Sequence, residues 1–501
     1  MQWGLSIKMP LHDIYLLSPE ISIACLAAVV IVLDLFTKNK KIIPVVATIG
    51  VIGSVLLTIL IHQDTSIINN GNAFSNTFNV DTFGIFFKYI ILGTVLVVIL
   101  YSYEYAEKFN NHQGEYYSLL LFSASGMMLL ASATELITLY IALELTSLPS
   151  AGLVALKRSR ASAEAGIKFL LLSAISSAIL LYGMVLIYGF TGSSHLNEIA
   201  DQISRSQNLV SNPAILLAMI LITAGFGFKI SAAPFQMWAP DVYEGAPTPI
   251  TAFLSVASKS AGFALAIRIF YTVFNGTEIS VEWGQIIAIL SALSMTLGNL
   301  IAIRQNNIKR LLAYSTVAQA GYIMVGLASM SMLDGTSNLG PSGILFYLAG
   351  YAMTNLTAFG IIILVCSKSE NYSLEKFSDL ARISPVLAIA MTLSMVSLIG
   401  IPPTVGFIGK VYLFSAAMES GLIWLAIFGV LNSVISAYYY LNIVRIMFKR
   451  SSKNDSYEKR PSIPLKIGGV AVILSAIATF VFGLYPEPIL NLANTAIQSI
   501  I

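Results

Sequence analysis

Charge is scarce in this chain. Lysine, arginine, aspartate and glutamate make up 11% of its 501 residues, against about 25% in an ordinary soluble protein. A soluble fold needs such groups to cover its surface, so a water-soluble globular domain is excluded at the outset. Cysteine is almost missing as well. Cys25 and Cys366 stand far apart, each inside an apolar run and neither with a CxxC neighbour. That argues against a disulfide framework, an iron–sulfur cluster or a zinc site. The four histidines, His12, His62, His112 and His195, fall at the ends of apolar runs or between them, which disfavours a haem held by two buried imidazoles. No P-loop and no credible dinucleotide fingerprint is present. The net charge of +3 is too small to suggest a nucleic-acid partner. The chain is expected to work without a redox cofactor or nucleotide of its own.

What the sequence has in abundance is apolar length: 56% of its residues are hydrophobic. A bilayer core is spanned by about 20 apolar residues of helix. Runs of that kind fall near 15–36, 42–62, 80–102, 116–134, 135–156, 164–190, 213–236, 248–273, 283–303, 308–329, 341–366, 383–419, 421–447 and 466–486. The expected fold is therefore an all-α polytopic membrane protein of about fourteen transmembrane helices. The run 383–419 is too long for one straight crossing and holds Pro402 and Pro403, so it reads as one broken helix. The start, MQWGLSIKMPLHDIYLLSPE, has no basic region or cleavage site of a signal peptide, and the first run is expected to stay as an anchor. Loop charges support the count. Alternate loops collect the lysines and arginines, from Lys38, Lys40 and Lys41 through Lys157, Arg158 and Arg160 to Lys449 and Arg450; the other set holds only Lys8 and Arg205. By the positive-inside rule both termini are expected on the outer face. The basic stretch KRSSKNDSYEKRPSIPLK reads as a solvated inner loop, with anionic lipid heads as a second option.

A lysine or aspartate at mid-membrane costs roughly 2.5–3.5 kcal/mol on insertion scales, and a chain that keeps such charges generally uses them. Five stand out. Glu144 lies about nine residues into its helix, near mid-depth at ~1.5 Å per residue, where a carboxylate needs a cationic partner. Lys168 follows Glu164 by four residues, on the same helix face, and is as well explained as the structural partner of Glu164. Lys229, in GFGFKISAAPFQMW, precedes Pro234, which frees backbone carbonyls. Such breaks are tolerated in a membrane where they line a hydrated cavity. Lys259 lies mid-helix among Ser255, Ser258 and Ser260, and Arg268 beyond it reads as an interfacial side chain able to snorkel. Lys410 follows a second break, in LIGIPPTVGFIGKVYLF. Two broken helices of opposite direction, five helices apart, are what an inverted repeat predicts: helices four to eight over 116–273 and nine to thirteen over 283–447. Helices one to three then occupy 1–115, and the basic loop with helix fourteen 448–501. Tyr314, Ser315, Gln319, Tyr322, Thr354, Asn355, Asn432, Ser433, Ser436 and Tyr438 to Tyr440 are candidates to join the charged clusters. Read singly, most are helix–helix hydrogen-bonding groups. The physical expectation is a proton chain from Glu144 to Lys229, then Lys259, then Lys410.

Three stretches carry a family likeness. ALELTSLPS around Glu144, FKISAAPFQMWAPDVYEGAPTPITAFLSVASK from Phe228 to Lys259, and RQNNIKRLLAYSTVAQAGY from Arg304 to Tyr322 resemble the subunit N family of proton-translocating NADH–quinone oxidoreductase, respiratory complex I. The resemblance implies a fourteen-helix antiporter-like fold in a cell (inner) membrane, with two inverted five-helix bundles. It also implies partners in the membrane arm and peripheral arm, with NADH, FMN, iron–sulfur clusters and quinone bound there and none by this chain. By motif, Glu144 matches the fifth-helix glutamate, Lys168 the sixth-helix lysine, Lys229 and Lys410 the lysines of the broken helices, and Lys259 the eighth-helix lysine. Gln236 stands where many members have histidine, and an amide cannot titrate. A related cation/proton antiporter or membrane-bound hydrogenase subunit is the alternative. A non-transporting scaffold is a third, disfavoured by the cost of its buried charges.

Overall fold

The computed structural model describes residues 11–64, 71–205, 212–274, 277–330, 338–366, 369–450 and 467–500. Lys8, Lys368, Lys453, Lys459, Arg460 and Lys466, together with most of the basic stretch after 449, lie outside the described residues.

In hydrocarbon every backbone N–H and C=O must be satisfied within the chain, which leaves helices as the spanning element here. They are α1 Ser18–Phe36, α2 Ile42–Gln63, α3 Thr82–Tyr105, α4 Gln113–Ser132, α5 Leu136–Ala155, α6 Arg160–Thr191, α7 Pro213–Ile230, α8 Trp238–Gly245, α9 Thr248–Thr272, α10 Thr277–Ala302, α11 Ile308–Met330, α12 Leu339–Cys366, α13 Pro385–Ile399, α14 Val405–Glu419, α15 Ile423–Phe448, α16 Ile467–Leu484 and α17 Glu487–Gln498. Twelve are long and apolar enough to cross a membrane. The more polar α4, packed between α1 and α5, and the broken pair α13/α14 complete the fourteen crossings expected. Local chemistry sets the ends. The Asp81 carboxylate accepts from the Gly84 N–H at 2.7 Å to cap α3, and Asn212 caps α7 just before Pro213. Gly192, with φ at +73°, closes α6 in the left-handed conformation that glycine adopts freely.

The helices alternate in direction, so the start of α1 and the last helix share one end of the bundle, here called the terminal face. A two-stranded hairpin, β1 Asn72–Ala73 with β2 Phe78–Asn79, sits there. Helix α9 is buried throughout, and α11 and α12 nearly so, so these three form the centre. Around them α1, α2, α6, α15 and α16 turn rows of leucine, isoleucine and valine outward, a surface that only lipid or a partner can cover.

Two buried ion pairs fix the terminal half. Glu20 of α1 meets Lys88 of α3 at 2.6 Å with both side chains at most 2% exposed. Asp81 and Arg268 form a bidentate pair at 2.8 and 2.9 Å. Arg268 thus departs from the snorkelling expected of it: its guanidinium stays inside because it also donates to the Ala131 carbonyl at 2.6 Å and lies over the Phe83 ring. Helix α17 was not anticipated, since its 12 residues are too short to read as a crossing.

Candidate functional site

The site begins at two interruptions. Helix α7 stops at Ile230, where Ser231 takes a left-handed φ of +61°, and the chain resumes as α8 at Trp238. The break thus starts one turn before Pro234, and Gln236 lies within it. Helix α13 stops at Gly400, with φ at +90°, and α14 begins at Val405. Each stop leaves last-turn carbonyls without helical partners, and a lysine amine takes them up in both places. Lys259 donates to the Ile230 carbonyl. Lys410 donates to the carbonyls of Leu398 at 3.2 Å and Ile399 at 2.9 Å, and to Ser433 Oγ at 3.1 Å, with its Nζ 3.9 Å from the centre of the Tyr322 ring. Lys259 directly follows a π-helical turn, Leu254–Ser258, a distortion common at functional positions.

Lys229 is buried in the last turn of α7 and donates to Thr146 Oγ1 and to Ser147 Oγ at 3.1 Å, both on α5. The same helix carries Glu144. It is half-buried beside the outward row Ile137, Ile141 and Leu148, and one carboxylate oxygen has no hydrogen-bond partner among the described residues. The two groups are brought onto one helix–helix interface without forming an ion pair. A small cavity of about 10 Å³, lined among others by Ser147, Ser173, Ser176, Ser177 and Ser258, lies against Lys229 and is at the threshold for one water.

One turn before Lys259, hydrogen-bonded groups begin to cross the centre. Ser255 accepts from Asn355 at 2.7 Å. Asn355 also donates to Tyr351 Oη at 3.0 Å, and Tyr351 donates to Thr316 Oγ1 at 3.1 Å. One turn along α11, Gln319 donates to the Leu398 carbonyl at 3.0 Å, the same oxygen that Lys410 uses. Tyr347 and Tyr440 bond to Gln319, and Asn299 joins Tyr322, Asn432 and Tyr439. Of the polar candidates, Ser315, Gln319, Tyr322, Asn355, Asn432, Ser433, Tyr439 and Tyr440 take part, Ser315 through its bond to the Tyr440 hydroxyl. Tyr438 instead points outward, 67% exposed. Sequence reading missed Thr146, Ser147, Asn299, Thr316, Tyr347 and Tyr351. The available signal was Tyr347–Tyr351 at i,i+4, which puts two hydroxyls on one face of an apolar helix.

Lys168 stands elsewhere. It is 43% exposed and paired with Glu164 and Asp241, both at 2.8 Å. Asp241 also meets Arg310 at 2.9 Å, and Arg310 meets Glu244 at 2.8 Å. This ionic row lies on the face opposite the termini and ties α6 and α8 to α11. Beside it, buried Lys309 donates to the Glu244 and Ala246 carbonyls. On the same face partial burial pushes the Glu370 carboxyl up, but Lys157 and Lys108 outweigh it and hold it below the usual carboxylate range.

Packing at the second break is tight. A Cβ on Gly406 would run into the Ser397 carbonyl oxygen, whereas one on Gly53 would meet nothing. Gly406→Ala is expected to cost about 1–3 kcal/mol through overpacking and to shift Lys410. Thermal unfolding of the purified assembly and its proton pumping should both fall, with Gly53→Ala unchanged in each.

Comparison with known proteins follows the same lines. Residues 133–436 match the family model described as NADH:quinone oxidoreductase/Mrp antiporter, TM. A protein of Dehalococcoides mccartyi named NADH-quinone oxidoreductase subunit N is 41% identical over 495 residues, covering 97% of this chain and 99% of its own. Its namesake in Desulfitobacterium hafniense is 45% identical over 436 residues, covering 84% of this chain and 86% of its own. Among solved structures, a chain of respiratory complex I from Thermus thermophilus with bound aureothin superposes with a TM-score of 0.77 at 29% identity, covering 94% of this chain and 98% of that one.

Proposed function

The chain belongs to the family of membrane subunits shared by NADH:quinone oxidoreductase and the Mrp antiporters, and from that premise we infer that its protons travel from Glu144 by way of Lys229 and Lys259 to Lys410. It is a proton-translocating membrane subunit of a NADH–quinone oxidoreductase, and its partners are the other subunits of that complex. In this reading NADH, FMN, iron–sulfur clusters and quinone are held by those partners, and the energy arrives from them as a change of charge or shape.

Two hydrogen-bonded segments carry the proposal, Ser255–Asn355–Tyr351–Thr316 and Gln319–Leu398 carbonyl–Lys410, set one turn apart on α11 by Thr316 and Gln319. Each member is buried, and each link is a group that can pass a proton or hold a water that does. Lys229 and Lys259 are joined through adjacent backbone, since Lys259 is bonded to the carbonyl of the residue after Lys229. The outward flank of α5 makes Glu144 the group that a neighbouring subunit reaches first. Lys168, in its exposed ionic row, serves as an electrostatic neighbour that biases Asp241 and α8. The bundles 116–273 and 283–447 act as inverted repeats, each with one break, and the terminal face points outward.

The test is Asn355→Leu, which cuts the chain at its middle without adding charge. Losing one buried hydrogen-bond donor costs about 1–3 kcal/mol, so proton pumping per NADH oxidised in reconstituted vesicles should slow by roughly tenfold or more. Unaltered pumping would remove the central link. The second reading, a subunit of a related antiporter or hydrogenase-type complex, shares the fold and the lysines. The stretch Asp241–Pro249 favours the first. Sodium-dependent growth of the host, or co-purification without NADH-oxidising subunits, would favour the second.

A further inference from the structure

A cleft of about 430 Å³ opens at the terminal face, between the last turn of α2, the first two turns of α3 and helix α17. Its size falls within the ~300–1,000 Å³ of small-molecule sites. None of the residues in the proton chain lines it. Its walls divide by polarity: His62, Tyr89, Asn491 and Thr495 supply polar groups, while Phe86 and Leu492 are apolar. His62 Nδ1 and the Tyr89 hydroxyl lie 3.1 Å apart. Among the described residues no lysine, arginine or carboxylate lines the cleft, so its lining carries no fixed charge.

Three features identify an occupant. The walls are helix ends, which sets the cleft at the level where hydrocarbon gives way to headgroups. On α2, which supplies His62, the outward row Ile49, Ile52, Leu56, Ile59 and Leu60 leads up to the cleft, so an exposed apolar surface runs toward its mouth. Helix α17 packs Ile489, Leu490, Ala493, Ala496 and Ile497 into the bundle and leaves Asn491, Leu492 and Thr495 outward, so its outer side offers the cleft both polar and apolar groups. We propose that this cleft holds one phospholipid with a zwitterionic headgroup, its acyl chain between Phe86 and Leu492 and its ester region facing His62 and Asn491.

The experiment uses the intact purified complex in nanodiscs containing phosphatidylcholine with a photoreactive diazirine in its acyl chain. After illumination, cross-linked peptides are mapped by mass spectrometry. Cross-links should concentrate on the start of α3 and on α17 by roughly fivefold over the equally exposed surface of α15, a preference of about 1 kcal/mol. Leu492→Trp/Thr495→Trp alters exposed positions and fills the cleft, so it should abolish the excess and leave labelling of α15 unchanged. Even labelling, or an excess that survives the filled cleft, overturns the proposal. Displacement by anionic phosphatidylglycerol at equal concentration overturns the headgroup assignment. Labelling that appears only when residues 2–9 are deleted shows that the chain's own start occupies the cleft, which also overturns it.

Discussion

Lys229→Ala is expected to abolish proton pumping coupled to quinone reduction while the complex still assembles. Lys229 sits at 6% exposure with two hydroxyls and, among the described residues, no carboxylate within ion-pair distance. Removing it therefore relieves the bundle of a buried charge and strands no opposite one, so folding should survive. Transport should not. Thr146 and Ser147 remain, but a hydroxyl binds a proton far more weakly than an amine does, so no group at that point can store one. Positioned proton-transfer groups typically contribute about 10²- to 10⁴-fold, and the loss in pumping rate should be of that order. Glu144→Ala should act alike at the other side of the same interface. Acidification by reconstituted vesicles oxidising NADH, read beside quinone reduction with an uncoupler present, makes the measurement. Normal pumping by both variants would end the proposed relay.

Arg268→Ala should be the most damaging single change to stability. It leaves the Asp81 carboxylate buried without a counter-charge, and breaking one half of a buried pair costs about 3–5 kcal/mol. The arginine also holds the Ala131 carbonyl, so the end of α4 and the starts of α3 and its neighbours lose a shared pin. The subunit should be missing from assembled complex on native gels. Arg268→Leu with Asp81→Asn should recover most of the loss, because asparagine keeps the cap on α3 and no charge is left unpaired. Full incorporation of Arg268→Ala, with an unchanged melting temperature, would refute the argument.

These two residues mark what the sequence discloses and what it hides. Lys229, Lys259 and Lys410 are legible because a lysine inside an apolar run has a cost visible without coordinates, and Pro234, Pro402 and Pro403 announce the interruptions nearby. Fourteen crossings follow from apolar length and alternating loop charge. Arg268 was misread because its partner Asp81 lies 187 residues away, and no local pattern links them. Glu20 with Lys88 is hidden for the same reason. Glu144 and Lys229 share one interface, but hydroxyls two and three residues further along α5 hold the amine, a matter of helix rotation that composition does not encode. Asp241 as the second partner of Lys168, and Tyr351 as the link between Asn355 and Thr316, depend on how separate helices pack.

The three bonds made by Lys410 have an arithmetic of their own. An ammonium has three hydrogens to give, and here they match three acceptors: two carbonyls at the end of α13 and the Ser433 hydroxyl on α15. A neutral amine has two. In the proposed relay, loss of the proton would leave two N–H groups for these three acceptors, so the hydrogen bonds that hold the end of α13 to α14 and α15 would rearrange. Proton occupancy of Lys410 would then be coupled to the hydrogen bonding that closes the second break.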